Sequence, residues 1–200
     1  MMKWIRTGLL LFFLLQASYA TAVQVKLTIP IIVGSVHEVE GLENSTLATS
    51  NFGLKFLIPV APDTLWGLGA SLFNARAGDG EGVSPGYESI LSAMMFQAGV
   101  DYSGIEISQG YRLVVDLTVE FPINGEGRVE DSNGDKVSEA KSVSGTGLYL
   151  GTGVRWGSIE GGLFYKQNDL SYGDLTTPRD PNKEIAIHSS AYGIFLAYLF

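Results

Sequence analysis

Tyr192-Gly-Ile-Phe-Leu-Ala-Tyr-Leu-Phe200 closes the chain, and its reading decides the fold. Every second residue back from the terminus is aromatic or large and aliphatic: Phe200, Tyr198, Leu196, Ile194, Tyr192. Between them lie Ala191, Gly193 and Ala197, with Phe195 and Leu199 as the larger exceptions. A period of two is a strand with one apolar face, because successive side chains point to opposite sides.

The same alternation recurs upstream. In 22–35, Val23, Val25, Leu27, Ile29, Ile31 and Val33 oppose Gln24, Lys26, Thr28 and Pro30. In 105–122, Leu113, Val115, Leu117, Val119 and Phe121 oppose Arg112, Val114, Asp116, Thr118 and Glu120. Further strands are predicted over 47–60, 65–76, 87–102, 142–155 and 159–167, which with the last makes eight. Tight turns are expected at 61–64, at Ser103-Gly104 and at Gly157-Ser158, the last two each set between an aromatic and Ile-Glu. The other connections, 124–141 and 168–183 among them, read as long polar loops. Short turns at one rim and long loops at the other are the layout of a transmembrane β-barrel.

Alternation alone does not separate such a barrel from a soluble sandwich, because the apolar face could line a core or meet lipid. Two features favour lipid. Residues 1–20 have a basic start (Lys3, Arg6), an apolar run and small residues before Ala20, the pattern of a cleaved secretory signal peptide. Trp66, Tyr102, Trp156 and Tyr198 gather at the turn end of the apolar face, as an interfacial girdle would. The expectation is one all-β domain over 21–200, an antiparallel up-and-down eight-stranded barrel. Loss of Lys3 and Arg6 takes the net charge from −8 to −10, which argues against a nucleic-acid partner. The chain has no cysteine, and therefore no disulfide and no thiolate chemistry.

The terminal strand ending in Phe resembles the C-terminal strand of bacterial outer-membrane barrels. Over its mature length the chain resembles the small eight-stranded barrels of the OmpA/OmpX type. The resemblance implies that Tyr192, Ile194, Leu196, Tyr198 and Phe200 form the insertion signal read by the barrel assembly machinery. It also implies a Gram-negative outer-membrane location reached through the periplasm, contact with lipid and lipopolysaccharide, and a monomer.

If the apolar face meets lipid, the other face fills the lumen. It collects Lys26, Lys55, Arg112, Arg155 and Lys166 with Asp101, Asp116, Glu120 and Glu160. Eight strands enclose a space just wide enough for side chains, so these charges must pair and the lumen reads as a plugged polar core. Gly145, Gly147, Gly151 and Gly153 point the same way and leave room for larger neighbours. The surplus acid falls in the long loops.

No cofactor or metal site is expected. Asp131-Ser-Asn-Gly-Asp135 starts like a calcium loop, but Lys136 and Ser142 stand where the loop needs Gly and Glu. His188 and Ser190 share the outward side of the last strand. A His-x-Ser pair there resembles part of the catalytic site of outer-membrane lipid A deacylases. Here Ala191 replaces that family's Asn and no acid follows; the nearest candidate acids are Glu38, Glu40 and Glu184. His37 ends the first strand nearby. The expectation is a barrel that is not an enzyme, with a structural, adhesive or surface ligand-contacting role. A lipid A-modifying enzyme and a narrow channel are the alternatives.

Overall fold

The computed structural model describes residues 23–39, 47–77, 88–131, 133–177 and 180–200. The signal-peptide reading of 1–20 lies outside them, as does Glu40. Among the described residues nine strands follow in order: β1 Gln24–Val39, β2 Leu47–Ala61, β3 Thr64–Ala77, β4 Glu88–Ser108, β5 Tyr111–Glu130, β6 Lys136–Ala140, β7 Ser142–Trp156, β8 Ile159–Thr177 and β9 Asp180–Leu199. All pairings are antiparallel. The order β4-β3-β2-β1-β9-β8-β7-β5 is closed by β4 pairing β5, so eight strands form a ring. The last strand lies beside the first, from Lys26 opposite Leu199 to Val39 opposite Ile187. The ninth strand, β6, is not part of the ring. It folds back on the outer end of β5, from Gly127↔Ala140 to Glu130↔Lys136.

Two expectations about connections are corrected. The β4–β5 turn is at Gln109–Gly110, not Ser103-Gly104. Gly110 takes the positive φ (80°) that the reversal requires, and at Tyr102–Ile105 the strand continues through a bulge. Gly104 is small because the Tyr102 ring lies over it. Likewise most of 124–141 and 168–183 is not loop. Among the described residues β5, β8 and β9 run on as paired strand, and β6 completes a hairpin with β5. Their polar composition reflects a change of solvent along the strand rather than an end of pairing. The turn at Gly157-Ser158 is where the sequence places it, with Gly157 at φ 58°.

The wall is sided. On the turn-side part of the barrel, apolar residues face out: Leu163 is 62 % and Leu117 49 % exposed, whereas Lys26 and Glu160 are 0 %. Towards the far end the sides exchange. Phe73, Leu91, Met95, Val129, Leu170, Tyr172, Leu175 and Ile187 pack inside, and polar residues take the outer wall. The lumen is therefore polar only in part; its far end is a hydrophobic core.

Candidate functional site

The lumen is built from cross-strand pairs of like charge. Lys26 lies directly across from Lys55 on β1 and β2, and Asp101 across from Asp116 on β4 and β5. Such neighbours repel. Closure of the ring sets the two pairs against each other. Lys26 Nζ is 2.6 Å from Asp101 Oδ2, 2.6 Å from Glu160 Oε2 and 3.1 Å from Asp116 Oδ2. It also lies 5.9 Å from the centre of the Phe195 ring, within reach of a cation–π contact. Lys55 Nζ is 2.5 Å from Asp116 and donates to Thr118 Oγ1 at 2.9 Å. Arg155 donates to Glu160, to Asp101 Oδ1 at 3.0 Å and to Ser103 Oγ at 3.1 Å.

Higher up, Lys166 Nζ is 2.6 Å from Glu120 Oε2, while Glu120 Oε1 accepts from Gln97 at 2.6 Å and Ser71 at 3.0 Å. Gly147 gives Glu120 and Asn168 their space, and Gly151 does so for the Tyr149 and Phe195 rings. Of the nine charges expected in the lumen, eight meet in this way. Arg112 does not join them. It sits at the turn-side mouth, half exposed, with its NH1 2.6 Å from Asp63 on the β2–β3 turn.

From the turn side, the lumen is a stack. A mouth of about 380 Å³ is lined by Gln24, Arg112 and Arg155. The charge cluster follows. Beyond it lies a cavity of about 30 Å³ between Thr28, Asn51, Gln97, Tyr149 and Lys166. Thr28 Oγ1, Gln97 Oε1 and the Tyr149 hydroxyl, all buried without a protein partner, point to a site polar enough for one or two ordered waters. The apolar cluster closes the far end.

The outer wall carries an apolar belt between two aromatic levels. At the turn end are Trp66, Tyr102, Trp156 and Tyr198, all well exposed, with Tyr111 stacked on Trp156 at 6.1 Å. At the other level Tyr165 and Tyr192 lie directly opposite each other. Tyr192, Ile194, Leu196, Tyr198 and Phe200 all face outward along β9. Eight steps of ~3.3 Å make this stretch roughly 26 Å long along the strand, enough to cross a hydrocarbon core of the height found in such barrels once tilted. Charges inside and apolar side chains outside invert the arrangement of a water-soluble barrel. The chain is an eight-stranded transmembrane barrel. No family model and no curated protein matches it. Among solved structures it is similar to Ail, the attachment invasion locus protein of Yersinia pestis, at 16 % identity over 90 % of this chain and 100 % of that one, TM-score 0.43. It is also similar to Neisserial surface protein A, at 10 % identity over 89 % and 97 % of the two chains, TM-score 0.46. The outer membrane protease OmpT from Escherichia coli is similar at 9 % identity over 89 % and 93 %, TM-score 0.46.

Just beyond the Tyr165–Tyr192 level the outer wall becomes polar. Glu38, His188, Asp169 and Thr146 stand in one row across β1, β9, β8 and β7. One step nearer the membrane, Val36, Ser190, Gln167 and Leu148 form the next. His188 Nδ1 lies 2.9 Å from Asp169 Oδ1, and Gln167 Nε2 donates to Asp169 Oδ2 at 3.3 Å. His37 is not part of this row. A bulge between Ile32 and Gly34 shifts β1 by a residue, so His37 stands across from Ser189 and Glu38 across from His188. The sequence reading missed Asp169 because it ended the strand at 167. The register from Ile159↔Tyr198 to Tyr172↔Ile185 is unbroken, and it brings Asp169 to His188.

At the β5–β6 turn, Asp131 Oδ1 accepts from the backbone N–H groups of Asp135 at 2.9 Å and Asn133 at 2.8 Å. These bonds hold its carboxyl below the usual carboxylate range. The carboxylate is thus engaged in its own turn. Among the described residues no cluster of three or more metal-ligating side chains is found.

Proposed function

We propose that the protein is a monomeric integral barrel of the outer membrane that acts through its outer surface and its external end, as a structural and ligand-contacting surface protein, and not as a conduit. The observation that carries this reading is the filled lumen. Four bases and four acids neutralise one another at its centre, and an apolar core seals its far end. A path for ions would have to break several buried ion pairs, and each opened pair leaves a costly bare charge.

The apolar belt faces lipid, and the polar wall above it meets lipopolysaccharide headgroups. Insertion runs through the barrel assembly machinery, with Tyr192, Ile194, Leu196 and Tyr198 of β9 and the terminal Phe200 as the signal it reads. The external end is a polar, acid-bearing surface held by its own core, suited to contact with a ligand or another cell. The test is conductance. Protein refolded into planar bilayers is expected to give no discrete single-channel steps; reproducible steps that scale with the amount of folded protein would overturn the closed-lumen reading.

A further inference from the structure

We infer that the outer wall of β3, β4 and β5 carries a binding groove for the headgroup of one outer-leaflet glycolipid, an acylated and phosphorylated sugar. The inference deepens the proposed contact with lipopolysaccharide and rests on that membrane-barrel reading. The groove is built where the wall bends. β5 ends its pairing with β7 at Glu120↔Gly147 and takes up β6 only at Gly127. Pro122, which has no N–H to donate, follows the last β7 pair. Ile123 is an extra residue in the register with β4, between Met95↔Pro122 and Met94↔Asn124. A hollow of about 500 Å³ opens on the outer wall at this bend, between Leu72, Asn74, Met94, Asn124, Glu126 and Lys141. That is the size of a small-molecule site. Its floor is closed, because Val143, packed against the inner core, fills the place that a Cβ on Gly125 would need.

The rows across the strands divide the groove into two halves. Leu72 and Met94 stand directly across from each other. On the belt side of them lie Phe96 and Phe121, likewise paired and exposed. One step towards the external end, Asn74, Ser92 and Glu126 form the next row. Asn124 and Lys141 complete this polar half. Asn124 Oδ1 accepts from the Gly125 N–H at 2.9 Å, which leaves its Nδ2 as a donor. Neighbouring bases are engaged: Arg76 with Glu88, Arg128 with Glu130 and Lys136 with Glu139. Among the described residues Lys141 and Glu126 stand in no ion pair, although they share one groove.

The chemistry of the lining names the occupant. A lone ammonium at Lys141 suits a phosphate, which it meets as a point charge. Glu126 accepts from ring hydroxyls, and the carboxamides of Asn74 and Asn124 serve hydroxyls or an acyl amide. Leu72 and Met94, continued by Phe96 and Phe121, suit the first carbons of an acyl chain. The turn from apolar to polar within one groove marks the headgroup level. A glycerophospholipid offers the phosphate and the chains but no ring of hydroxyls, and it leaves a carboxylate beside its phosphate unmatched. A phosphorylated, acylated sugar meets all three parts of the lining.

The test measures binding of deep-rough lipopolysaccharide to the mature full-length chain, refolded in detergent micelles, by isothermal titration. Heat-modifiable migration reports folding on the same samples. The comparison probes are phosphatidylglycerol, phosphatidylethanolamine and lipopolysaccharide stripped enzymatically of its lipid A phosphates. Saturable binding of lipopolysaccharide is expected, at least about tenfold tighter than of either phospholipid. Lys141→Ala is expected to weaken it about tenfold, the worth of one hydrogen bond to a charged group, and to change nothing with the phosphate-free probe. Glu126→Gln, and Asn74→Ala combined with Asn124→Ala, are expected to weaken both forms of lipopolysaccharide alike. Lys136→Ala removes the same charge from a base that does not line the groove, and is expected to change binding by less than about twofold. Phospholipid bound as tightly as lipopolysaccharide would overturn the inference. So would equal losses in Lys136→Ala and Lys141→Ala, or a Lys141→Ala loss that persists without the phosphates. A folded chain that binds no lipopolysaccharide sinks this site alone, whereas a chain that never reaches the heat-modifiable form sinks the barrel reading itself.

Discussion

Lys26 and Arg112 show how position, rather than charge, sets the worth of an ion pair. Lys26 is fully buried and is shared by Asp101, Asp116 and Glu160. Removing it leaves three carboxylates in a low-dielectric space with only Lys55 and Arg155 to balance them. Arg112 meets Asp63 at the open mouth, where water screens both. Lys26→Met is expected to cost about 3–5 kcal/mol, the usual penalty for breaking a buried pair from one side. Arg112→Met is expected to change stability by less than about 1 kcal/mol. Urea titration of the barrel refolded reversibly in lipid measures both. Equal costs would mean that the network does not stabilise the barrel as described.

At the scale of the element, β9 does two jobs. It pairs β1 and β8 to close the ring, and it presents Tyr192, Ile194, Leu196, Tyr198 and Phe200 to the membrane. Phe200 packs edge-on against Tyr198 at 4.7 Å, and its backbone N–H donates to Val25 at 2.9 Å. Deleting Phe200 therefore removes the outward ring and a hydrogen bond at the β1–β9 seam. The expected outcome is less heat-modifiable protein in the outer-membrane fraction and more in the periplasm, read by fractionation and gel migration. Unchanged membrane levels would show that the terminal residue is dispensable for insertion. β5 makes the complementary point. Its alternation continues beyond the membrane, but the register shift at Ile123 and its pairing with β6 give that outer end a different environment.

For the whole molecule, the exchange of sides sets where the membrane stops. Below the Tyr165–Tyr192 level the barrel is charged inside and apolar outside; above it, Tyr172, Leu175 and Ile187 are buried within and the outer wall is polar. A lipid-facing surface and a water-facing surface have opposite requirements, so one continuous wall changes polarity as it crosses the boundary. The absence of cysteine makes this testable with single introduced labels. Spin labels at Leu196→Cys and Phe121→Cys are expected to be relaxed mainly by oxygen. Labels at Asn74→Cys and Ser144→Cys are expected to be relaxed mainly by a water-soluble nickel chelate. Reversed accessibilities would place the membrane elsewhere on the barrel.

The sequence by itself determined the period of the strands, the side of each residue and the sign of each lumen charge, because a strand's alternation is local. That was enough for eight strands, an apolar belt and the turn at Gly157-Ser158. It put a turn at Ser103-Gly104 where the strand runs on, since a Gly near an aromatic serves a bulge as well as a turn, and Gly110 took the reversal. It also mistook polar strand for loop over 124–141 and 168–183, because polarity reports solvent, not pairing. Only the tertiary structure decided who meets whom. Lys26 and Asp101 are 75 residues apart and come together only when the ring closes. Asp169 reaches His188 only through the β8–β9 register, and the bulge in β1 sets Glu38, not His37, across from it. Register and closure are properties of paired strands, and no single strand's pattern contains them.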